Sequence, residues 1–316
     1  MPDPADLADP QAPGVSTGLY LFCVSALAPS LVSRLGVEGL AQAPLVPIGP
    51  VGHQGLVAVA CEVPLDEWAG PGAEARLGDI AWLGPRALQH ESVIEAVMAH
   101  GPVLPLRFGS LFSSAAALQA WLAAAAPRIR AFLGGEAAAC EEWAVKGWLN
   151  PEQAAAARLA ADPRFQALPA APGARYLREQ KLRQEIERSV RAWARGVGDD
   201  LIGGLHELGV AARPLRVLGA QNSKQGTKQS GARPEEAVFH FALWVPRARL
   251  AELGQRLEQR QAELAAQGLT LDLTGPWPPY SFCPQLGDSA GAPGRDERED
   301  PAARGEPRDG RDPDHG

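Results

Sequence analysis

Two kinds of apolar spacing alternate along the chain. Short runs rich in β-branched and aromatic residues, Leu19 to Ala26, Leu45 to Gly49 and Leu56 to Val63, predict strands, the last two joined by the turn-forming Gly49-Pro50-Val51-Gly52. A helix is expected from about Pro85, where proline suits a first helical position, with Ile94, Val97 and Met98 as its apolar stripe. A strand over Val103 to Phe108 follows. The next helix repeats apolar residues every three or four positions and so should bury Leu118, Trp121, Leu122, Ala125, Ile129, Phe132 and Leu133 on one face. Gly134-Gly135 should end it.

Beyond that break the same alternation resumes. Glu142 to Trp148 reads as a strand, Gln153 to Ala160 as an alanine-rich helix, and a long helix is expected from about Arg175, striped by Leu182, Ile186, Val190, Trp193 and Val197. Strands at Ala211 to Leu218 and Ala237 to Val245 flank a polar loop, Gln221 to Arg233. Pro246 should start a helix that buries Leu250, Leu253, Leu257 and Leu264, and Leu269 to Leu273 forms the last strand. The order β, α, β, β, α, β is that of a ferredoxin-like fold, in which helices cover one face of an antiparallel sheet. The fold class is therefore α+β, with two α/β-sandwich-like domains, the C-terminal one ferredoxin-like. The expected boundaries are a disordered N-terminal segment over 1–17, an N-terminal α+β domain over 18–135, the ferredoxin-like domain over 136–274 and a disordered charged tail over 285–316. That tail interleaves Asp, Glu and Arg with Gly and Pro and lacks the apolar side chains that would offset the entropy of ordering it.

Between the last strand and the tail, at 275–284, lies a proline and aromatic arm, part of Leu273-Thr274-Gly275-Pro276-Trp277-Pro278-Pro279-Tyr280-Ser281-Phe282. Each proline fixes its own φ, removes a donor and pushes the preceding residue toward extended geometry, so the arm should be stiff and irregular. Trp277, Tyr280 and Phe282 either fold back on the body as a hydrophobic latch or offer a rigid aromatic surface to a partner.

Composition narrows the function. The 316 residues are 46% hydrophobic, enough for sizeable cores, and the net charge of −7 argues against a nucleic-acid binder. No run reaches the length needed to span a bilayer; Ala115 to Ala126 is the closest and is short. The acidic, proline-rich start is unlike a signal peptide, which implies a cytoplasmic protein without membrane insertion. Cys23, Cys61, Cys140 and Cys283 have no zinc-type spacing, and Cys23 and Cys61 sit in strand-like runs as small hydrophobes.

Reactive groups do not converge. His90-Glu91 begins a metalloprotease-like pattern, but position 94 is isoleucine where a second histidine is required. His90 lies on the Ile94 and Val97 stripe and reads as a hydrogen-bonded, partly buried histidine. The adjacent carboxylates Glu141-Glu142 and Asp199-Asp200 read as solvated. Arg107 follows an apolar strand and precedes Gly109. A structural role, bidentate bonding to a carboxylate that ties strand to helix, is the favoured reading, with an anion or partner contact as the alternative. Gly109 and Ser110 should lead into a helix N-terminus. No catalytic residue, metal site or cofactor site is indicated.

Several blocks carry a resemblance. Leu19-Tyr20-Leu21-Phe22, Trp82 with His90, Val103-Leu104-Pro105-Leu106-Arg107-Phe108-Gly109, Glu142-Trp143-Ala144-Val145-Lys146, Gly173-Ala174-Arg175-Tyr176-Leu177 with Lys181, and the proline arm occur in an order that resembles the gas vesicle protein family GvpL/GvpF, over about residues 18 to 283. The resemblance implies two α+β domains and a non-enzymatic accessory protein of gas vesicle assembly. Its partners would be the small gas vesicle shell protein and other accessory proteins, and its place the cytoplasm and the gas vesicle. The blocks are common to the L-type and F-type members. Removing the arm after Leu273 should then abolish vesicle formation or shell-protein binding. The alternative reading, by fold analogy, is a small-molecule-sensing ferredoxin-like module.

Overall fold

The structure, a computed structural model, describes residues 16–49, 55–69, 72–169, 171–217 and 235–286. The turn at 50–52, the loop at 221–233 and nearly all of both tails expected to be disordered lie outside the described residues.

The N-terminal half is built on β1 (Thr17–Ser25), which pairs antiparallel with β3 (Val57–Pro64) on one side and with β4 (Val103–Pro105) and β5 (Leu111–Phe112) on the other; β2 (Val46–Ile48) flanks β3. A register shift between Leu21 and Cys23 inserts a bulge, so Phe22 and Cys23 both turn to one face while Leu21 and Val24 take the other. Both faces are covered. Helix α5 (Ala115–Gly134) comes from later in the half and packs Leu118, Leu122, Ile129 and Phe132 on the Leu19, Leu21 and Val24 face. On the Tyr20 and Phe22 face lie Val32 of α1 (Pro29–Val32), Trp68 of α2 (Leu65–Trp68) and, after α3 (Ala73–Gly78), Val93, Ile94 and Val97 of α4 (Ile80–Met98). This explains why Tyr20 to Val24 and Val57 to Cys61 are buried without interruption.

Several boundaries differ from expectation. Helix α4 begins at Ile80, because the Asp79 carboxylate accepts the Ala81 N–H at 2.9 Å and caps it; Pro85 lies inside the helix. The strand expected to reach Phe108 stops at Pro105. Gly109 then adopts φ 87°, the left-handed region that favours glycine, and reverses the chain into β5. The cap of α5 (Ala115–Gly134) is Ser114, whose hydroxyl accepts the Ala117 N–H at 3.2 Å, rather than Gly109 or Ser110.

After α6 (Glu136–Ala139), the C-terminal half opens with β6 (Cys140–Leu149), followed by α7 (Pro151–Ala161), α8 (Pro163–Gln166) and the 35-residue α9 (Pro172–His206). β7 (Ala211–Pro214), β8 (Glu236–Pro246), α10 (Leu250–Ala265) and β9 (Leu269–Trp277) complete it. The sheet order is β7-β8-β6-β9 with every pair antiparallel, the ferredoxin-like arrangement. α9 and α10 cover one face, meeting Val145, Leu149, Phe239, Leu243 and Val245. The Phe239 ring fills the space between β6 and α9 so tightly that a Cβ at Gly147 would lie 2.3 Å from it. Arg247–Arg249 forms a 3-10 turn, so α10 starts at Leu250 and not directly at Pro246. β7 is shorter than expected, and β9 is longer: it runs on through Pro276 to Trp277, so the first part of the proline segment is edge strand, where a missing donor costs no ladder bond.

Candidate functional site, an aromatic clasp between the two sheets

The second face of the C-terminal sheet is where the two halves meet. Trp244 of β8 projects from it and stacks on Phe132 of α5, with ring centroids 6.3 Å apart at 13°. Phe282, beyond β9, stacks on the other side of Trp244 at 5.2 Å and 19°. The Arg213 guanidinium lies 5.0 Å over Phe282 and also donates to the Ser281 carbonyl. A pile of rings thus runs from the N-terminal helix layer through the C-terminal sheet to the arm, with the apolar offset geometry that aromatic pairs favour.

Beside it lies a polar anchor. Glu142 of β6 is only 7% exposed; its carboxylate accepts the Ser281 N–H at 2.9 Å and the Ser281 hydroxyl at 2.6 Å. Burial pushes its carboxyl above the usual range, opposed by the Ser281 bonds and Arg213. Glu142 was expected to be solvated; it faces inward because β6 alternates, and positions 142 and 144 point to the face that the arm covers. The Cys283 thiol donates to the Pro279 carbonyl at 2.9 Å, and burial pushes it up to about 12.

Tyr280 reaches the N-terminal half. Its hydroxyl lies 2.9 Å from Glu91 Oε1 and 3.1 Å from His90 Nε2. His90, 1% exposed, also has Nε2 3.2 Å from the Leu106 carbonyl and Nδ1 2.9 Å from the Tyr20 hydroxyl, which in turn accepts the Gly109 N–H at 3.1 Å. A carbonyl can only accept, so Nε2 carries the proton and Nδ1 accepts from Tyr20. The chain of donors then runs in one direction: Gly109 to Tyr20, Tyr20 to His90, His90 to Tyr280, Tyr280 to Glu91. Charging the ring would place a second N–H against Tyr20. Burial, partly offset by the Leu106 carbonyl, holds the imidazole down at about 4. Phe22, Phe108 and Tyr20 enclose it.

The expected residues therefore divide. Tyr280 and Phe282 are both tied to the body, although Tyr280 keeps 38% exposure, and His90 is the buried hydrogen-bonded residue that receives the Tyr280 hydroxyl. Trp277 stays 42% exposed at the end of β9, its indole N–H bonded to Thr274 Oγ1 at 3.2 Å. Arg107 does not form the expected tie: its side chain is exposed and, among the described residues, meets no carboxylate, while its carbonyl accepts the Ser110 N–H and hydroxyl. The reason is the turn at Gly109, which swings residue 107 out of the sheet. Tyr20, Glu91, Glu142, Arg213 and Trp244 were missed as site residues. A polar residue inside a buried strand, as at 20 and 142, is the signal that could have found two of them.

Among the described residues there is no group of three metal-ligating side chains, and no helix is long and apolar enough to cross a membrane. Two shallow clefts flank α9, but much of their charged lining pairs locally: Arg164 with Asp162 and Glu185, Arg183 with Glu179, and Arg191 with Glu236.

Comparison with known proteins places this geometry. A model of the family described as Gas vesicle synthesis protein GvpL/GvpF matches residues 18–284. Gas vesicle protein L of Streptomyces sp. (strain CB03234) is 32% identical over 235 residues, covering 73% of this chain and 80% of that protein. Gas vesicle protein L2 of Halobacterium salinarum is 29% identical over 207 residues, 62% of this chain and 70% of that protein. The crystal structure of the gas vesicle protein GvpF from Anabaena sp. PCC7120 superposes with a TM-score of 0.57 over 85% of this chain and 99% of that one, at 16% identity, a likeness of fold.

Proposed function

The chain belongs to the GvpL/GvpF family of gas vesicle synthesis proteins, and from that premise we propose that it is an accessory protein of gas vesicle assembly that acts through contacts with the shell protein and other accessory proteins, in the cytoplasm at the growing vesicle. The observation that carries this reading is the division of labour in the arm. Tyr280 and Phe282 anchor it at two points, and the intervening prolines restrict its backbone, so Trp277 is held out on a pre-organised support. An exposed tryptophan on a rigid segment loses little freedom on binding and offers a large apolar area. Such anchors dominate protein interfaces. A shell subunit must bury apolar surface as it joins the wall, and a partner that covers this surface beforehand limits aggregation. No turnover is required.

The test is co-purification of the full chain with the shell protein and the other accessory proteins, comparing Trp277→Ala with the unaltered chain. Loss of capture from a normally folded variant supports contact through the arm. Retained capture moves the contact to the domains, and no capture by the unaltered chain overturns the assembly reading.

A further inference from the structure

The long helix α9 carries a surface that its own packing does not use. Its inner stripe, Leu182, Ile186, Val190 and Val197, is buried, and directly opposite runs the exposed ridge Leu177, Lys181, Gln184, Arg188, Arg191, Arg195. These positions are spaced four, three, four, three and four, the repeat that keeps one line of side chains facing a neighbouring helix that winds gently about it. No carboxylate interrupts the line until Asp199. Among the described residues, Lys181, Arg188 and Arg195 meet no acid. Of the flanking carboxylates, Glu179 and Glu185 are engaged by Arg183 and Arg164, Glu187 is exposed on the Arg183 side of the ridge, and Arg191 pairs with Glu236 at the edge.

The arrangement does nothing for the helix itself. The first turn of α9 has neither an acidic residue nor a side-chain cap, and Arg175 at its end adds a cation where the helix dipole disfavours one. Tyr176 and Leu177 are 63% and 70% exposed at the same end. A row of cations about 21 Å long, from Lys181 to Arg195 at the helical rise, of which Lys181, Arg188 and Arg195 meet no acid among the described residues, stands out with an apolar pair at its tip on a chain of net charge −7.

We propose that the α9 ridge is a docking surface for an acidic α-helix of another polypeptide, which lays carboxylates along Lys181, Arg188 and Arg195 and an apolar residue against Tyr176 and Leu177. Charge complementarity selects this occupant. A second copy of the ridge would meet it with like charge, and a nucleic acid would be repelled by the acidic remainder of the chain. The proposal rests on the reading of the chain as an interaction protein at the gas vesicle and names the chemistry of one partner.

The test is fluorescence anisotropy of the full chain with a labelled synthetic peptide of about 21 residues, helix-forming, with glutamates on one face at the three-four repeat and a leucine at one end. Binding should weaken as salt rises and fall at least about tenfold in the triple variant Lys181→Glu, Arg188→Glu, Arg195→Glu. The glutamine triple variant should fall between the two. All three side chains are exposed, so far-ultraviolet circular dichroism should not change. No binding, equal binding by the charge-reversed variant, or tighter binding of a single-stranded oligonucleotide overturns the proposal. So does much tighter peptide binding after removal of residues 287–316, which would make the chain's own tail the occupant. Peptide failure with vesicle formation still dependent on this chain rejects the ridge and leaves the assembly reading standing. Normal vesicles in a strain lacking the chain reject the assembly reading and leave the peptide result intact.

Discussion

The two sheets of this protein acquire their second layer in different ways. The N-terminal sheet is closed on both faces by elements of its own half, α4 on one side and α5 on the other, and its central strands are apolar without interruption. The C-terminal sheet has α9 and α10 on one face only. Its other face is covered at one end by Phe132 of α5 and by the arm, through Trp244, Glu142 and Phe282, while Lys146, Trp148 and His240 farther along stay half-buried. One half is complete alone; the other is completed from outside. The arm is thus a piece of the C-terminal domain's missing layer, and through Tyr280 it also grips α4. Anything that pulls on the arm acts on both halves.

The largest test of that contrast is Trp244→Ala. It removes the ring between Phe132 and Phe282 and should cost about 3–5 kcal/mol in urea unfolding. By hydrogen exchange, protection should fall in β6 and β8 while Leu19 to Val24 keeps its own. Equal loss in β1 would break the contrast. Acid gives the next effect. The His90 imidazole titrates at about 4 in the folded chain against 6.5 ordinarily, so the unfolded chain takes up its proton first. Stability is therefore full above pH 6.5 and lost as pH falls toward about 4, by about 3 kcal/mol in all. Glu142 and Glu91, both raised by burial, have the opposite sign: their folded forms protonate first, which favours the fold as pH drops. The fall in melting temperature between pH 6.5 and 4 should accordingly be steeper in Glu142→Gln than in the unaltered chain. An identical slope would remove Glu142 from the account.

The two anchors of the arm can be compared directly. Phe282→Ala deletes a half-buried ring stacked on Trp244 and should cost about 2 kcal/mol, whereas Tyr280→Phe keeps the ring and loses its bonds to Glu91 and His90, for about 1 kcal/mol. If Tyr280→Phe proves the costlier, the polar anchor dominates, and the arm belongs more to α4 than to the C-terminal sheet.

What the sequence disclosed follows from the range over which each force acts. The stripes of α5 and α9 and the strand order of the second half were legible because periodicity is local, and Pro151 to Ala161 and Leu269 onward lie where spacing and turn residues place them. The start of α4 was misjudged because Asp79 caps it and outweighs the preference of Pro85 for the first turn. The clasp was half legible. The arm's composition marked it, and His90 stood out on its stripe, but Tyr20 and His90 are 70 positions apart and Tyr280 lies 190 positions from His90. No spacing rule connects them. Arg107 misled for the converse reason: a conspicuous side chain beside an apolar strand was turned outward by one left-handed glycine two positions later.

The smallest expected effect on stability belongs to Trp277, the residue proposed to meet the partner. The Trp277 side chain is exposed at the end of an edge strand and its indole N–H bonds to Thr274 of the same strand, so Trp277→Ala, which keeps the backbone pairing with Glu142, should change unfolding free energy by less than about 0.5 kcal/mol. Its melting curve, and the protection of β6, should match those of the unaltered chain. If so, any loss of shell-protein capture comes from the surface that was removed, because Tyr280 and Phe282 still hold the arm. Phe282→Ala makes the reciprocal case: Trp277 is intact but its support is loosened, so capture should weaken with faster dissociation rather than vanish. A Trp277→Ala variant that unfolds early instead would show that this ring belongs to the clasp, leaving the partly exposed Tyr280 as the arm's remaining aromatic surface for a partner.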